Sequence, residues 1–312
     1  MTWPLYIIVN TTCHEGKGLE EWLKAQEQGL NFFPQAKVVI SENSESTTSI
    51  LKDIPFETKT ILISAGGDGA INLLINSIMG FPSTKKKNIV IGAVGLGSSN
   101  DFLKPFSQYL GETPIRINAK KTFLNHDLVK VNYLDEHNLE KQKYFIINSS
   151  FGVTALGNWN FNHPSSLLSW LKKVNTNLAI NYTAATTILD HRNFTCTVHY
   201  NAHSSQMNIS NINLLKNPYF SGSLFYDQQI EQNDGKIGIN ICRDMNKWEL
   251  FKTVLNLENG KFQQTKKQIS VKAGSFHLKS KTPIIMECDG ETEKILEAEF
   301  SILKSEFHVM QA

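Results

Sequence analysis

The sequence is short of net charge, of cysteine and of long uninterrupted apolar runs, and each shortage excludes something. Lys and Arg number 31 against 29 Asp and Glu, a formal charge of +2. That is too little to argue for a nucleic-acid partner. The four cysteines (Cys13, Cys196, Cys242, Cys288) are scattered and form no C-x-x-C pair. Neither a zinc site nor a disulfide framework is indicated, and a cytoplasmic location is expected. Residues 1–10 are apolar, but they are few and lack a basic leading segment, so they read as a first strand and not as a signal peptide. The stretch 144–170 lacks Asp, Glu, Lys and Arg, yet Asn, Ser, His163 and Pro164 interrupt it. It does not suit a membrane span.

Two nucleotide signatures are also missing. No G-x-x-x-x-G-K-[ST] occurs, and in Gly95-Leu96-Gly97-Ser98-Ser99-Asn100 the third glycine of a dinucleotide fingerprint is Asn100. What remains is a soluble-type composition, 41% hydrophobic and 19% charged over 312 residues, long enough for one large domain or two ordinary ones. The run Lys85-Lys86-Lys87 reads as a solvated loop, with attraction to an anionic membrane surface as the alternative.

The most informative stretch is Ile61-Leu62-Ile63-Ser64-Ala65-Gly66-Gly67-Asp68-Gly69-Ala70-Ile71-Asn72. A strand-length apolar run empties into glycines around one aspartate, and a helical pattern follows. Such glycines permit φ > 0 and close approach to a ligand. The first N–H groups of the helix offer an anion site. An aspartate there would repel phosphate unless a divalent cation bridges the two, so the loop suggests Mg²⁺–nucleotide. The alternative is that Asp68 simply caps its helix. A second such turn, Gly97-Ser98-Ser99-Asn100-Asp101-Phe102, ends the next strand, and in open α/β sheets ligands bind at that edge.

These two loops resemble the signature loops of the diacylglycerol kinase/sphingosine kinase superfamily, its bacterial soluble lipid kinases above all. Three later segments agree in order: Phe145-Ile146-Ile147-Asn148 with Phe151-Gly152 and Ala155, then Asn217-Pro218-Tyr219-Phe220-Ser221-Gly222, then Cys288-Asp289-Gly290-Glu291. The chain departs from the family pattern at Ala70, Leu73, Gly95 and Ser98, and its first loop reads Asn10-Thr11-Thr12-Cys13-His14.

Along the first third, strands at Leu5–Asn10, Ala36–Ser41, Lys59–Ala65 and Asn88–Val94 alternate with helices at Gly18–Gln28, Thr47–Ile54 and after Asp68. This predicts a doubly wound α/β domain on a mainly parallel sheet. From Asp127 short strand-like runs dominate, among them Leu128–Tyr133, Lys143–Asn148, Phe194–Tyr200, Met207–Leu214, Lys236–Cys242 and Pro283–Glu287. They predict an antiparallel β domain, β-sandwich-like or a half-open barrel, with one helix, Ser165–Leu178. The expected division is therefore 1–126, completed by the tail 297–312, and 127–296.

The resemblance implies an ATP- and Mg²⁺-dependent lipid kinase, diacylglycerol-like in substrate, peripheral at the membrane and with room for a homodimer. Nucleotide contacts are expected at Asn10, Ser41, Gly66, Gly67, Asp68, Gly69, Ala70, Asn72, Gly97, Ser98, Asn100 and Asp101. A structural Mg²⁺ is expected on Asp234 with the carbonyls of Glu231 and Lys236, although Asp234-Gly235 is also a plain turn dipeptide. The general base falls in the Asp-Gly-Glu segment, Glu291 first and Asp289 second; Asp289-Gly290 also suits a two-residue hairpin turn. The alternatives are a catalytically impaired lipid- or nucleotide-binding relative and an NAD-kinase-like activity. Trp159, Phe161 and Trp170 are candidates for a lipid entrance, with core packing as the alternative.

Overall fold

The computed structural model describes residues 3–27, 35–118, 120, 122–262 and 265–311. It divides into two compact units, Met1–Leu128 with Leu303–Ala312, and Val129–Ile302.

In the first unit the order is β1 (Leu5–Asn10), α1 (Cys13–Gly16), α2 (Gly18–Glu27), β2 (Lys37–Ser41), α3 (Ser44–Asp53), β3 (Thr60–Gly66), α4 (Asp68–Met79), α5 (Ser83–Lys86) and β4 (Ile89–Gly95). The strands lie in the order β2-β1-β3-β4, each pair parallel. β3 and β4 are buried at every position, as continuous apolar strands of a parallel sheet must be. β5 (Tyr109–Leu110) pairs with β6 (Thr113–Arg116), which runs antiparallel to β4. His308 and Val309, from the end of the chain, add a parallel segment to β4. Ile7, Val9, Ile63, Val94 and Met310 lie in one core cluster. α3 begins three residues earlier than expected because Asn43 and Ser46 form a capping box. Gln28, the expected end of α2, lies outside the described residues.

The second unit takes up the chain within β7 (Phe123–Asp135). Then come β8 (Glu140–Phe145), β9 (Asn148–Gly152), α6 (Val153–Asn162), α7 (Ser166–Val174), α8 (Thr176–Asp190), β10 (Phe194–Tyr200), β11 (His203–Leu215), β12 (Tyr219–Phe220) and β13 (Leu224–Phe225). β14 (Ile237–Arg243), α9 (Lys247–Leu257), β15 (Gln268–Ala273), β16 (Ser275–Cys288) and β17 (Glu291–Met310) complete the chain. Antiparallel pairing runs β15-β14-β11-β10-β16-β17. The lane between β11 and β16 is filled by β10 at one end and by β9 at the other. Each long strand shifts register where it changes partner, between Ile209 and Asn211 and between Lys279 and Ile284. These pairings join the antiparallel strands into one hydrogen-bonded sheet. Phe145, Phe151, Ile212, Phe276, Met286 and Phe300 belong to its core.

Three helices stand where one was expected, and the strand expected over 143–148 breaks at Ile146-Ile147, whose N–H groups point to a side chain instead of a strand. α9 was not anticipated at all.

Candidate active site

β3 and β4 are neighbours, and the two glycine-containing loops leave them at the same edge. The loops meet at Gly67 and Gly97. A Cβ on Gly97 would lie 2.5 Å from the Gly67 Cα, and one on Gly67 would lie 3.1 Å from the Gly97 Cα. Gly66, Gly67, Gly69 and Gly97 all keep negative φ. Glycine is used here for close approach, which corrects the expectation of left-handed backbone. Leu96 N donates to Gly66 O at 3.0 Å across the same junction.

Asp68 does not cap α4; the N-cap is Gly67, with no side-chain cap bond. Its carboxylate crosses to the second loop, where Oδ2 accepts from Asp101 N and Oδ1 from Phe102 N, both at 2.9 Å. The second loop also closes on itself. Asn100, in the left-handed region at φ 50, donates from Nδ2 to Gly97 O at 2.7 Å and accepts from Gly97 N at 3.0 Å. Asn tolerates that conformation better than other side chains. The buried Asp101 carboxylate pairs with Lys104 at 2.7 Å. Asn72 is buried on α4 and accepts from Asn76 Nδ2 at 3.1 Å, while Ala70 is half-buried beside Gly66.

Gly69 and Ser98 are the exposed points of this structure. A Cβ on Gly69 would meet nothing within 4 Å, so space is open beside the first turn of α4. Ala70 N and Ile71 N donate to Gly67 O, so Gly69 lies in the first turn of the helix, where backbone N–H groups can receive an anion. The residues thus fit a nucleotide phosphate: a helix start, an open glycine and the Ser98 hydroxyl.

Two expected contacts differ in kind. Asn10 Oδ1 accepts from the Thr12 N–H and hydroxyl, at 2.9 and 2.7 Å, an Asx turn that shapes the end of β1. Ser41 is 1% exposed, and its hydroxyl bonds with Asn43 O, Ser46 and Thr47. A nucleotide has no access to it, so this expectation is corrected: Ser41 supports the start of α3.

In the second unit, Asp289 and Gly290 join β16 to β17 as a two-residue turn, with Cys288 opposite Glu291. Both turn residues have positive φ, 45° and 92°, the signature of a type I′ hairpin. The Asp289 side chain turns inward, 3% exposed. Its oxygens accept the N–H groups of Ile146, Ile147 and Asn148 at 2.9–3.0 Å. Buried and bonded to three backbone N–H groups, this carboxylate anchors the turn, a structural place that argues against its candidacy as base. Glu291 is exposed at the start of β17, free to meet a substrate.

Glu287 was not among the expected site residues, yet it supports this turn. It is 1% exposed; Oε1 accepts from Gly290 N at 2.7 Å and Oε2 from the Ser150 hydroxyl at 2.6 Å. Burial pushes its carboxyl up to about 7, against the two hydrogen bonds that favour the ion, with Asp289 adding to the rise. Its place two residues before the Asp-Gly pair, directly after the apolar run Ile284-Ile285-Met286, was the available signal.

The residues expected to hold a structural Mg²⁺ do converge, but on a side chain of the protein. Lys216 Nζ donates to Glu231 O at 2.8 Å, to Asp234 Oδ1 at 3.1 Å and to Lys236 O at 3.1 Å. The donor set does not fit a dication there, and the metal assignment to Asp234, Glu231 and Lys236 is corrected. Among the described residues no cluster of three His, Cys, Asp or Glu side chains could hold a metal.

The aromatic candidates divide. Trp159 stacks on His163 with ring centres 4.3 Å apart, and Phe161 lies under Lys172 Nζ at 4.3 Å. Trp170 is exposed, as are Leu167 and Val174 on the same helix.

Residues 4–131 match the sequence model of the family described as the diacylglycerol kinase catalytic domain. No curated protein matches the chain. A solved diacylglycerol kinase from Bacillus anthracis str. Sterne superposes with a TM-score of 0.68 at 15% identity, over 99% of this chain and 97% of that one. A second structure from the same organism gives 0.71 at 16% over the same shares. Yeast NADH kinase complexed with NADH is more remote, at 0.50 and 9% over 99% and 83%. At such identities the solved structures speak for the fold alone. Residues 4–131 thus resemble the diacylglycerol kinase catalytic domain in sequence, and the chain as a whole is similar in fold to the solved Bacillus proteins.

Proposed function

We propose that the protein is an ATP- and Mg²⁺-dependent lipid kinase that phosphorylates a hydroxyl of a diacylglycerol-like lipid. The observation that carries this reading is the locked pair of loops at the edge of β3 and β4, with Gly69 and Ser98 left open at their tips. When bound, Mg²⁺–ATP would supply the γ-phosphoryl group. The Gly69 N–H and the Ser98 hydroxyl would hold phosphate oxygens, and Asp68 would keep the second loop in register beneath them. Phosphoryl transfer asks mainly for such positioning. Glu291 would accept the proton of the lipid hydroxyl, and the turn that carries it is fixed by Asp289 and Glu287.

Access to a lipid asks for an apolar surface. Leu167, Trp170 and Val174 recur at helical spacing on α7 and are exposed at 51%, 59% and 59%. We assign this face to the membrane interface. No helix among the described residues is long and apolar enough to cross a membrane. Incubation with γ-labelled ATP and a lipid extract tests the reading: label in the organic phase supports it. Label on NAD would favour the NAD-kinase alternative, and nucleotide binding without product the impaired relative.

A further inference from the structure

We propose that Lys216 is a built-in cation that takes the place of a divalent metal, so that the fold of the second unit is independent of Mg²⁺. The side chain is wholly buried, at the end of β11. An ammonium has three N–H donors and no acceptor. Around it stand three oxygens at 2.8–3.1 Å: the carbonyls of Glu231 and Lys236 and the Asp234 carboxylate. These are hydrogen-bond distances, well beyond the 2.0–2.1 Å that Mg²⁺ requires of its oxygens.

Charge points the same way. Asp234 Oδ2 also lies 3.4 Å from Lys272 Nζ, and Oδ1 accepts from Lys236 N at 3.0 Å. Burial raises the Asp234 carboxyl, but the bonds and charge of Lys216, followed by Lys236 N and Lys272, bring it below its ordinary value. A dication entering here would face two ammonium groups over one carboxylate.

The site also bears on the base turn. Lys216 N donates to Ile147 O at 2.8 Å, and Ile147 N donates to Asp289 Oδ1 at 3.0 Å. The residue that gathers the 231–236 loop therefore also holds the segment on which Asp289 is anchored. None of this depends on the lipid-kinase reading, because the site concerns folding alone.

The test is thermal unfolding of the full chain, without nucleotide, in EDTA and in excess Mg²⁺, for the wild type, Lys216→Met and Asp234→Asn. The wild type is expected to melt at the same temperature in both media. Lys216→Met empties an oxygen cage of its cation, so its Tm should fall in EDTA and recover in Mg²⁺, as a ligand that binds only the folded state requires. A wild-type Tm that rises with Mg²⁺, and loses that rise in Asp234→Asn, would overturn the proposal. So would a folded Lys216→Met protein indifferent to Mg²⁺. If that variant does not fold, the two wild-type melts and the Asp234→Asn control decide.

Discussion

Asp68 and Asp101 belong to different loops, and the first holds the second: Asp68 Oδ2 accepts the Asp101 N–H at 2.9 Å, while Oδ1 takes the next N–H along, that of Phe102. Two backbone donors of one loop thus end on one carboxylate of the other. Each hydrogen bond to a charged group contributes about 1.5–3 kcal/mol. Asp68→Ala should lower the melting temperature and weaken Mg²⁺–ATP binding together, with Asp68→Asn intermediate, because the amide keeps one acceptor oxygen. Calorimetry with and without ATP measures both. Loss of stability with unchanged ATP affinity would detach this clamp from nucleotide binding.

The Asp-Gly-Glu segment separates two carboxylates by burial. Glu291→Gln should reduce turnover on lipid by roughly 10²–10⁴-fold, the scale of general acid–base catalysis, and leave Tm unchanged, since the side chain is exposed. Asp289→Ala removes the acceptor of three buried N–H groups and should lower Tm by several degrees. Parallel melts and rate measurements on the two variants check the division. Normal turnover by Glu291→Gln would remove that residue from the role of base.

Glu287 gives the second unit a pH dependence. Its carboxyl is raised from 4.5 to about 7 in the folded protein, chiefly by burial. The folded state therefore binds the proton more tightly than the unfolded chain does. The stabilisation is complete below about pH 4.5 and is lost as pH rises through about 7. Glu287→Gln, neutral throughout, should flatten that part of the Tm–pH curve. Identical wild-type and variant profiles between pH 4.5 and 7 would contradict the assignment.

Membrane contact is expected through α7. Replacing Leu167, Trp170 and Val174 with serine should reduce co-sedimentation with lipid vesicles and leave ATP affinity untouched. The wild-type protein should be released from membranes by salt or mild detergent. Vesicle binding unchanged by the triple substitution would place the contact elsewhere.

What the sequence disclosed follows from the strength of its local signals. β3 and β4 are continuous apolar runs ending in glycine, so strand, turn and helix start were all readable. The Asp289-Gly290 dipeptide between two alternating runs likewise announced a hairpin. α8 escaped notice because Thr176–Asp190 is rich in Thr and Asn and carries little apolar periodicity. α9 did have a readable start, since Asn246 and Glu249 form a capping box. At the site, residue types were legible and directions were not. Nothing in the order of residues says that Asp68 reaches across to Asp101 and Phe102, that Asp289 turns inward, or that Lys216 enters the cage of Asp234. Those outcomes depend on contacts between residues 18 to 143 positions apart.

The most direct measurement is transfer of label from γ-labelled ATP in the presence of Mg²⁺ and a mixed lipid extract, with wild type and Glu291→Gln side by side. Extraction into an organic solvent separates phospholipid from nucleotide. The account predicts label in the organic phase for the wild type and its near-complete loss for the variant. Label confined to the aqueous phase on NAD, or no transfer by a wild-type protein that binds ATP, would contradict it.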